Sequence, residues 1–334
     1  MMYFSYLEQT LHYFDRPHEA VALVPIDSPA AWRAADLAAD PTWQVNLSAA
    51  EQDELVAATE HASATGKADA DLTRADFPLP TLAAAVDRWR AAVDHGRGLQ
   101  VVSGVPLDRM EPAAAERLFW CLGLHLGRPG AQNVRGDLLG HVTDTGARMQ
   151  DEHTRLYETP ADIAYHCDAA DVVGLLCLRP ARRGGASRIV SSVTVYNELL
   201  RRRPDLVDRL YEPFHLDVRN EDPAATTRHV AVPPCRFAAG RLRTFFHSDY
   251  FRSVQRHDDV PRFTDDETEL LDLYEAIASD PASCFDMELQ RGDIQLLSNH
   301  VVLHSRTAYE DHPQPERRRH LLRLWLSLAG EELP

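Results

Sequence analysis

The second half of the chain, from about residue 160 onward, consists of short apolar runs separated by turn signals. Glycine pairs and proline pairs interrupt the runs, for example at Gly184-Gly185 and Pro233-Pro234. Four runs have the length and the apolar content that strands favour: 172–178, 188–193, 293–297 and 320–326. Many short strands with regular turns predict an antiparallel β-barrel or jelly roll.

The first part of the chain, up to about residue 95, has helical patterns instead. Residues 30–39 and 82–91 combine good helix formers with apolar residues at a spacing of three or four. Residues 58–75 predict a loop or a weak helix. We therefore expect an α+β fold, with a helical N-terminal region over 1–95 packed on a jelly-roll core with flanking helices over 96–334. The sequence has no internal repeat and no clear linker, so we expect one domain overall.

The formal charge of -16, from 51 acidic and 35 basic residues, argues against nucleic acid or an anionic membrane as a partner. The five cysteines form no Cys-x-x-Cys pair, and Lys67 is the only lysine, outside any phosphate-loop motif. No apolar run is long enough to span a bilayer, and no signal peptide is evident. We expect a cytoplasmic protein that acts on a small molecule. The sequence leaves open whether it forms a homo-oligomer.

His-x-Asp triplets occur four times, and sequence context ranks them as metal ligands. Alternate residues of a strand point to one face, so such a pair can bind one metal ion. His166 and Asp168 directly precede the most apolar run and are the preferred pair. The other three pairs are weaker alternatives: His215/Asp217, His247/Asp249 and His257/Asp259.

A third ligand must come from a distant strand. His304 is the preferred candidate, and His300 and His320 stay open as alternatives. Two imidazoles and one carboxylate on one face of iron(II) leave three positions for a chelating 2-oxo acid and dioxygen. On a strand, Arg319 and Arg323 would share a face, and burying both is costly unless each meets an anion. One would then hold the distal carboxylate of the 2-oxo acid, and the other an acidic group of the substrate.

Taken in order, these motifs resemble the taurine-dioxygenase-like (TauD/TfdA) family of iron(II)/2-oxoglutarate-dependent dioxygenases. The resemblance extends from about residue 95 to 328. It rests on Tyr165-His-Cys-Asp168, Gly184-Gly-Ala-Ser187, Gly292-Asp293, Asn299 through His304, and Arg319-x-x-x-Arg323. It implies a cupin-like double-stranded β-helix that uses Fe(II), 2-oxoglutarate and dioxygen.

The resemblance also implies roles for single residues. Iron would be bound by His166, Asp168 and His304. The distal carboxylate of 2-oxoglutarate would be held by Arg319 and by the hydroxyl of Ser187. The interval between His304 and Arg319 is longer than in the taurine enzyme, so Arg317 and Arg318 stay open as alternatives to Arg319.

Substrate contacts are expected from further residues. Arg323 matches the arginine that binds the acidic group in sulfonate-using relatives. The other candidates are Gln132, Asn133 and Arg135 on a loop over the barrel, with Tyr165, Phe246 and Tyr250 lining the pocket.

The expected reaction is hydroxylation of an unactivated C–H of a small polar anion, such as an amino acid or a specialised-metabolite intermediate. Desaturation and cyclisation stay open. So do two other classes of protein, namely a cupin-like metal enzyme that does not use 2-oxoglutarate and a non-catalytic barrel that binds a small anion.

Overall fold

A large, mostly antiparallel sheet and a smaller sheet dominate the structure, a computed structural model that describes residues 3–146, 159–218 and 227–328. In these residues the strands are β1 Gln44–Asn46, β2 Leu99–Ser103, β3 Arg128–Gly130, β4 Leu139–Val142, β5 Ile163–His166, β6 Val172–Arg179, β7 Arg183–Gly184, β8 Ser187–Ser191, β9 Phe214–Asp217, β10 His229–Val232, β11 Cys235–Ala238, β12 Arg241–Thr244, β13 Cys284–Met287, β14 Ile294–Ser298, β15 Val302–Arg306, β16 Tyr309–Glu310 and β17 His320–Ser327. The helices are α1 Tyr6–Phe14, α2 Ala34–Ala39, α3 Ala49–Ala64, α4 Ala83–Asp94, α5 Pro112–Leu126, α6 Ser192–Arg202, α7 Ser248–Ser253 and α8 Asp265–Ala278.

The larger sheet has seven strands in the order β1-β2-β14-β6-β17-β3, and β4 pairs with β17 alongside β3. Its neighbours run antiparallel except for β1 and β2. The smaller sheet has four antiparallel strands in the order β13-β8-β15-β5. Two such sheets facing each other form a jelly roll, or double-stranded β-helix. The α+β fold class that the sequence predicts is therefore confirmed.

Strand β17 shows how the sequence produces two different faces. Leu322, Leu324 and Leu326 pack in an apolar cluster with residues of α3, α4 and α5 outside the larger sheet. Arg323 and Trp325, which alternate with these leucines, line the space between the sheets. Because side chains alternate along a strand, a one-residue slip would place leucines in the cavity and Arg323 against the helices.

The helices begin at residues with capping side chains. Ser48 caps α3 and Thr264 caps α8, each in a capping box with the glutamate three residues later. Helix α3 extends to Ala64, so the first residues of 58–75, which the sequence predicts as a loop or a weak helix, are helical. The described helices include none with the length and apolar content needed to cross a membrane.

The N-terminal residues pack closely on the jelly roll. Strand β1 extends the larger sheet, and α3 and α4 share an apolar cluster with its strands. Helix α1 lies against the end of the larger sheet, where Ser327 Oγ donates to Gln9 Oε1 at 3.1 Å. Gly130 of β3 permits this close approach, because a Cβ at that position would collide with Gln9 Oε1.

Candidate active site

A cavity of about 730 Å³ lies between the two sheets. One side of it is lined by residues of β5, β15 and β17, which we call the deep wall: His166, Asp168, His304, Arg306, Arg319, Arg323 and Trp325. Other lining residues belong to α1 and to the region of β9 and β10. The predicted iron ligands, Arg319 and Arg323 therefore meet in one cavity.

His166, Asp168 and His304 come together at the deep wall. His166 ends β5, Asp168 follows in the next turn, and His304 pairs with His166 across β5 and β15. Their potential ligand atoms all lie within 4.8 Å of one another. In residues 3–146, 159–218 and 227–328, no other group of three histidines, cysteines or acidic residues is arranged closely enough to hold a metal ion.

Both imidazoles present Nε2 towards Asp168. His166 Nε2 lies 4.0 Å from Asp168 Oδ1, and His304 Nε2 lies 3.8 Å from Asp168 Oδ2. His166 Nδ1 hydrogen-bonds the carbonyl of Ala164 at 2.9 Å, so Nδ1 carries the proton and Nε2 keeps a lone pair. Burial, together with the nearby His166, lowers the pKa of His304 to about 3. The His304 ring is thus neutral, as a metal ligand must be.

The carboxylate of Asp168 has two further neighbours. Trp325 donates its indole N–H to Asp168 Oδ2 at 3.0 Å, and Arg323 Nη1 lies 3.9 Å from Oδ1. Burial opposes ionisation, but the charge of Arg323 and the hydrogen bond from Trp325 hold the pKa of Asp168 below its usual value. The group is therefore an anion, and Trp325 fixes its orientation.

Asn299 holds the turn that contains Asp168. Its Oδ1 accepts from the backbone N–H of Asp168 at 3.1 Å, and its Nδ2 donates to the carbonyl of Ala170 at 2.9 Å. Asp168 lies beyond the end of β5. Its position is fixed by these two hydrogen bonds from Asn299, which lies in the turn after β14.

Arg319 is 6% exposed and lines the same cavity, whereas Arg317 is exposed and Arg318 is half-buried. Burial lowers the pKa of Arg319, and among the described residues its Nη1 has no hydrogen-bond partner. Gly185, at φ +73°, lies against this side chain, since a Cβ there would come within 3.2 Å of Arg319 Nε. A buried cation with an unused donor is suited to bind a carboxylate.

Ser187 also lines the cavity, at the start of β8. Its hydroxyl is hydrogen-bonded to the side-chain amide of Gln295 at 2.9–3.0 Å. The sequence did not indicate Gln295, because its partner lies 108 residues away.

A third buried arginine, Arg306, was missed by the sequence reasoning. It lines the cavity, and its Nη2 donates to the carbonyls of Thr159 and Ala161. Its Nε and Nη1 are buried without a partner among the described residues, and burial together with Arg319 lowers its pKa to about 10. One signal could have found it, since Arg306 stands two residues after His304 on the same face of a strand.

Gln132 and Asn133 lie near the cavity but are not among the residues that line it. Gln132 Oε1 accepts from Arg323 Nε at 2.7 Å, and its Nε2 donates to the Arg323 carbonyl at 2.8 Å. Asn133 donates to Asp137 Oδ2 within its own turn, and Arg135 is an exposed partner of Asp137. The polar groups of this loop hold Arg323 and the turn, and direct substrate contact from the loop stays a prediction.

The three aromatic candidates divide between core and cavity. Tyr165 and Phe246 pack in the apolar cluster outside the smaller sheet, so the expectation that they line the pocket is corrected. Alternation along β5 turns Tyr165 away from the side that His166 faces. Tyr250 does line the cavity and stacks on His247, with ring centroids 3.7 Å apart.

The other histidines considered as ligands have different surroundings. His300 hydrogen-bonds Asp171 at 2.8 Å, and His320 hydrogen-bonds His141 at 2.9 Å. His215 contacts His229, and His257 contacts Asp217. His247 lines the cavity beside His166, at 5.1 Å between ring centroids, but it is not part of the three-residue cluster.

The fold and the residues at the deep wall fit a non-haem iron site that also binds a 2-oxo dicarboxylate. Two imidazoles and one carboxylate supply the ligands, and Arg319 supplies an unused cationic donor in the same cavity. These features define the class of iron(II)/2-oxoglutarate-dependent oxygenases.

The comparison with protein families agrees with this class. The family described as "Taurine catabolism dioxygenase TauD, TfdA family" matches residues 60–325. The chain belongs to this family and is an Fe(II)/2-oxoglutarate-dependent oxygenase, which uses dioxygen as its second co-substrate. Membership decides against the two other classes that the sequence left open, the metal enzyme without 2-oxoglutarate and the non-catalytic barrel.

Relatives include the FR-33289 synthase of Streptomyces rubellomurinus (strain ATCC 31215), 31% identical over 93% of this chain and 93% of the relative. A uridine-5'-phosphate dioxygenase of Amycolatopsis sp is 25% identical over 75% of this chain and 94% of its own length. Among solved structures, an asparagine oxygenase in complex with Fe(II), 3-hydroxyasparagine and succinate has a TM-score of 0.67 at 18% identity, covering 85% of this chain and 93% of that chain. The oxygenase OrfP in complex with Fe and alpha-ketoglutaric acid has a TM-score of 0.63 at 17% identity, covering 85% and 94%.

Proposed function

We propose that this oxygenase binds iron(II) through His166, Asp168 and His304 and oxidises an unactivated C–H of a small organic anion. In the same proposal, Arg319 and Ser187 hold the distal carboxylate of 2-oxoglutarate. The observation that carries it is the convergence of the three ligand atoms within 4.8 Å in the cavity that also holds the unpartnered Nη1 of Arg319.

The default reaction is a hydroxylation. One molecule each of substrate R–H, 2-oxoglutarate and dioxygen gives R–OH, succinate and carbon dioxide, so that all atoms balance. Bound iron(II) supplies the dioxygen chemistry, and the protein supplies binding, orientation and exclusion of water.

The residues of the deep wall would perform these protein tasks. His166 is held as a ligand by its bond to Ala164, and Asp168 is oriented by Trp325 and Asn299. Arg319 would place the co-substrate, because a planar guanidinium orients a carboxylate through two parallel hydrogen bonds. Positioning of this kind contributes much of the rate in reactions of bound partners.

An anionic substrate is supported by the charges in the cavity. Arg306 and Arg319 form no ion pair with any carboxylate of the described residues, and each keeps a buried nitrogen without a hydrogen-bond partner there. An amino acid or a specialised-metabolite intermediate with a carboxylate, sulfonate or phosphonate group would supply the missing negative charge. The relatives named for uridine-5'-phosphate and for asparagine are consistent with such substrates.

Anaerobic titration with iron(II) and 2-oxoglutarate tests the site. We expect the wild type to develop a weak visible charge-transfer band and His166→Ala to lack it. His95→Ala, which changes an exposed histidine, is the matched control and should keep the band. A wild type without the band, or a band that persists in His166→Ala, would contradict the proposal.

The substrate is then sought by succinate release. Candidate carboxylates, sulfonates and phosphonates are compared for their stimulation of 2-oxoglutarate-dependent succinate formation, and the product mass is recorded. A gain of one oxygen atom identifies hydroxylation, and a loss of two hydrogen atoms identifies desaturation or ring closure.

A further inference from the structure

One face of helix α1 lines the same cavity as the deep wall. Tyr6, Thr10 and Phe14 recur every four residues and therefore lie on one side of the helix. Ser5 and Leu7 extend this lining at the start of the helix. We call these five residues, Ser5, Tyr6, Leu7, Thr10 and Phe14, the α1 wall.

An adjacent face of α1 is fixed to the protein by polar contacts. Gln9 and Tyr13 are buried, and the Tyr13 hydroxyl lies 2.9 Å from both the Thr244 and the Asn299 carbonyl oxygens. His12 Nε2 lies 2.9 Å from Asp171 Oδ2, and Arg16 pairs with the other oxygen of the same carboxylate.

These contacts connect α1 with the turn that carries Asp168. Asp171 lies three residues after Asp168, and Asn299 contacts both Asp168 and Ala170 through its side chain. His300 adds a hydrogen bond to Asp171 at 2.8 Å and stacks on Tyr13 at 4.6 Å between ring centroids. The helix is therefore held in a defined position relative to the candidate metal ligands.

The side of the cavity at α1 differs from the deep wall in polarity. The arginines that line the cavity are Arg306, Arg319 and Arg323, all on or next to β15 and β17, and the α1 wall contributes no charged side chain. Large apolar side chains at least 40% exposed are few among the described residues, and three of them line this cavity: Leu7, Val134 and Val230. Exposed apolar side chains gathered around a cavity indicate a surface that an apolar ligand group covers.

From this arrangement we propose that the α1 wall determines substrate specificity, and that the substrate carries an apolar body on its acidic group. The inference rests on the proposed function, since it assumes that the acidic group binds at the deep wall. The α1 wall lies outside residues 60–325, the part of the chain that matches the family. The family match therefore does not by itself assign a role to the α1 wall.

A series of n-alkylphosphonates, from methyl to hexyl, serves as the probe of the α1 wall. Binding to the anaerobic protein with iron(II) and 2-oxoglutarate is measured by calorimetry. We expect the dissociation constant to fall about three- to fourfold per added methylene once the chain reaches α1, the gain typical of burying one CH₂ group.

Thr10→Phe and Leu11→Phe form a matched pair of variants. They place the same side chain at adjacent positions of α1, of which Thr10 lines the cavity and Leu11 is exposed to solvent. In Thr10→Phe the phenyl ring occupies the space of the alkyl chain, so the dependence on chain length should disappear. Leu11→Phe should retain the wild-type dependence.

Leu7→Ala and Leu11→Ala provide a second pair, which cannot be confused with misfolding because both leucines are more than half exposed. Leu7→Ala should weaken hexylphosphonate binding by about three- to fivefold, and Leu11→Ala by less than about twofold. In all four variants the charge-transfer band with 2-oxoglutarate should be unchanged.

The outcomes separate this inference from the proposed function. If the wild type lacks the charge-transfer band, the proposed function is wrong. A wild type that has the band but binds no phosphonate, or binds all members of the series equally, overturns the present inference alone. Equal behaviour of the two members of either variant pair also overturns it.

Discussion

The deep wall and the α1 wall line one cavity, yet they differ in charge. The deep wall carries two imidazoles, a carboxylate and three arginines, whereas the α1 wall carries neutral side chains. The deep wall lies inside the part of the chain that matches the family, and the α1 wall lies outside it. In our proposals the reaction and the acidic group of the substrate depend on the deep wall, and the α1 wall adds selection for an apolar substrate body.

The largest expected effect is that of removing a candidate ligand from the deep wall. His304→Ala should weaken iron(II) binding by more than about 100-fold, since the loss of groups that merely orient a ligand already costs about 10- to 100-fold. Equilibrium dialysis against iron(II) measures this, with His95→Ala as the control. Unchanged iron(II) affinity in His304→Ala would contradict the assignment of His304 as an iron ligand of the deep wall.

The second effect concerns the co-substrate. Arg319→Leu should raise the dissociation constant of 2-oxoglutarate about 10- to 100-fold, as expected for a lost charge-assisted hydrogen bond. Iron(II) binding should change little, because Arg319 is not a candidate ligand. Arg317→Leu, at an exposed position of the same segment, is the control in the calorimetric titration. A larger loss of 2-oxoglutarate affinity in Arg317→Leu than in Arg319→Leu would contradict the assignment of the co-substrate to Arg319.

The third, smaller expected effect tests whether the indole N–H of Trp325 supports iron(II) binding through Asp168. Trp325→Phe keeps an aromatic ring but loses the N–H that donates to Asp168 Oδ2, so iron(II) affinity should fall about tenfold. The charge-transfer band of the remaining complex should shift, which a purely structural role would not produce. Trp43→Phe removes an indole donor to a carbonyl away from the cavity and should leave both quantities unchanged.

The smallest effect concerns the attachment of α1. Burial lowers the pKa of His300 to about 4, so the folded protein keeps this ring neutral where the unfolded chain becomes protonated. The free energy of unfolding should therefore fall as the pH falls from about 6.5 towards 4, with about 0.5–1 kcal/mol lost between pH 7 and pH 6.

His300→Gln tests this pH dependence. Glutamine keeps an amide donor for Asp171 but does not titrate, so urea unfolding should lose less free energy between pH 7 and pH 6 than in the wild type. An identical loss in both proteins would show that His300 does not contribute.

Much of the deep wall could be predicted because its signals are local in sequence. The apolar runs indicate strands, and strand geometry selected His166 with Asp168 and Arg319 with Arg323, although in the structure Asp168 follows β5 in a turn and Arg319 directly precedes β17. The choice of Arg319 over Arg317 agrees with burial in the structure.

The rest depends on contacts between distant residues. Trp325 and Asp168 are 157 positions apart, and Gln132 reaches Arg323 over 191 positions. No local pattern shows that α1 reaches the cavity, because its polar contacts to Asp171 arise only in the folded chain. Tyr165 was predicted to line the pocket because it is next to His166 in the sequence. Side chains alternate along a strand, so Tyr165 points into the core instead.

The most direct test of the account is an anaerobic crystal structure with iron(II) and 2-oxoglutarate, with anomalous diffraction measured at the iron edge. The account predicts one anomalous peak bonded to His166 Nε2, His304 Nε2 and a carboxylate oxygen of Asp168, with the distal carboxylate of 2-oxoglutarate on Arg319. An iron peak that lacks any of these three ligands, or a co-substrate carboxylate on another arginine, would contradict it.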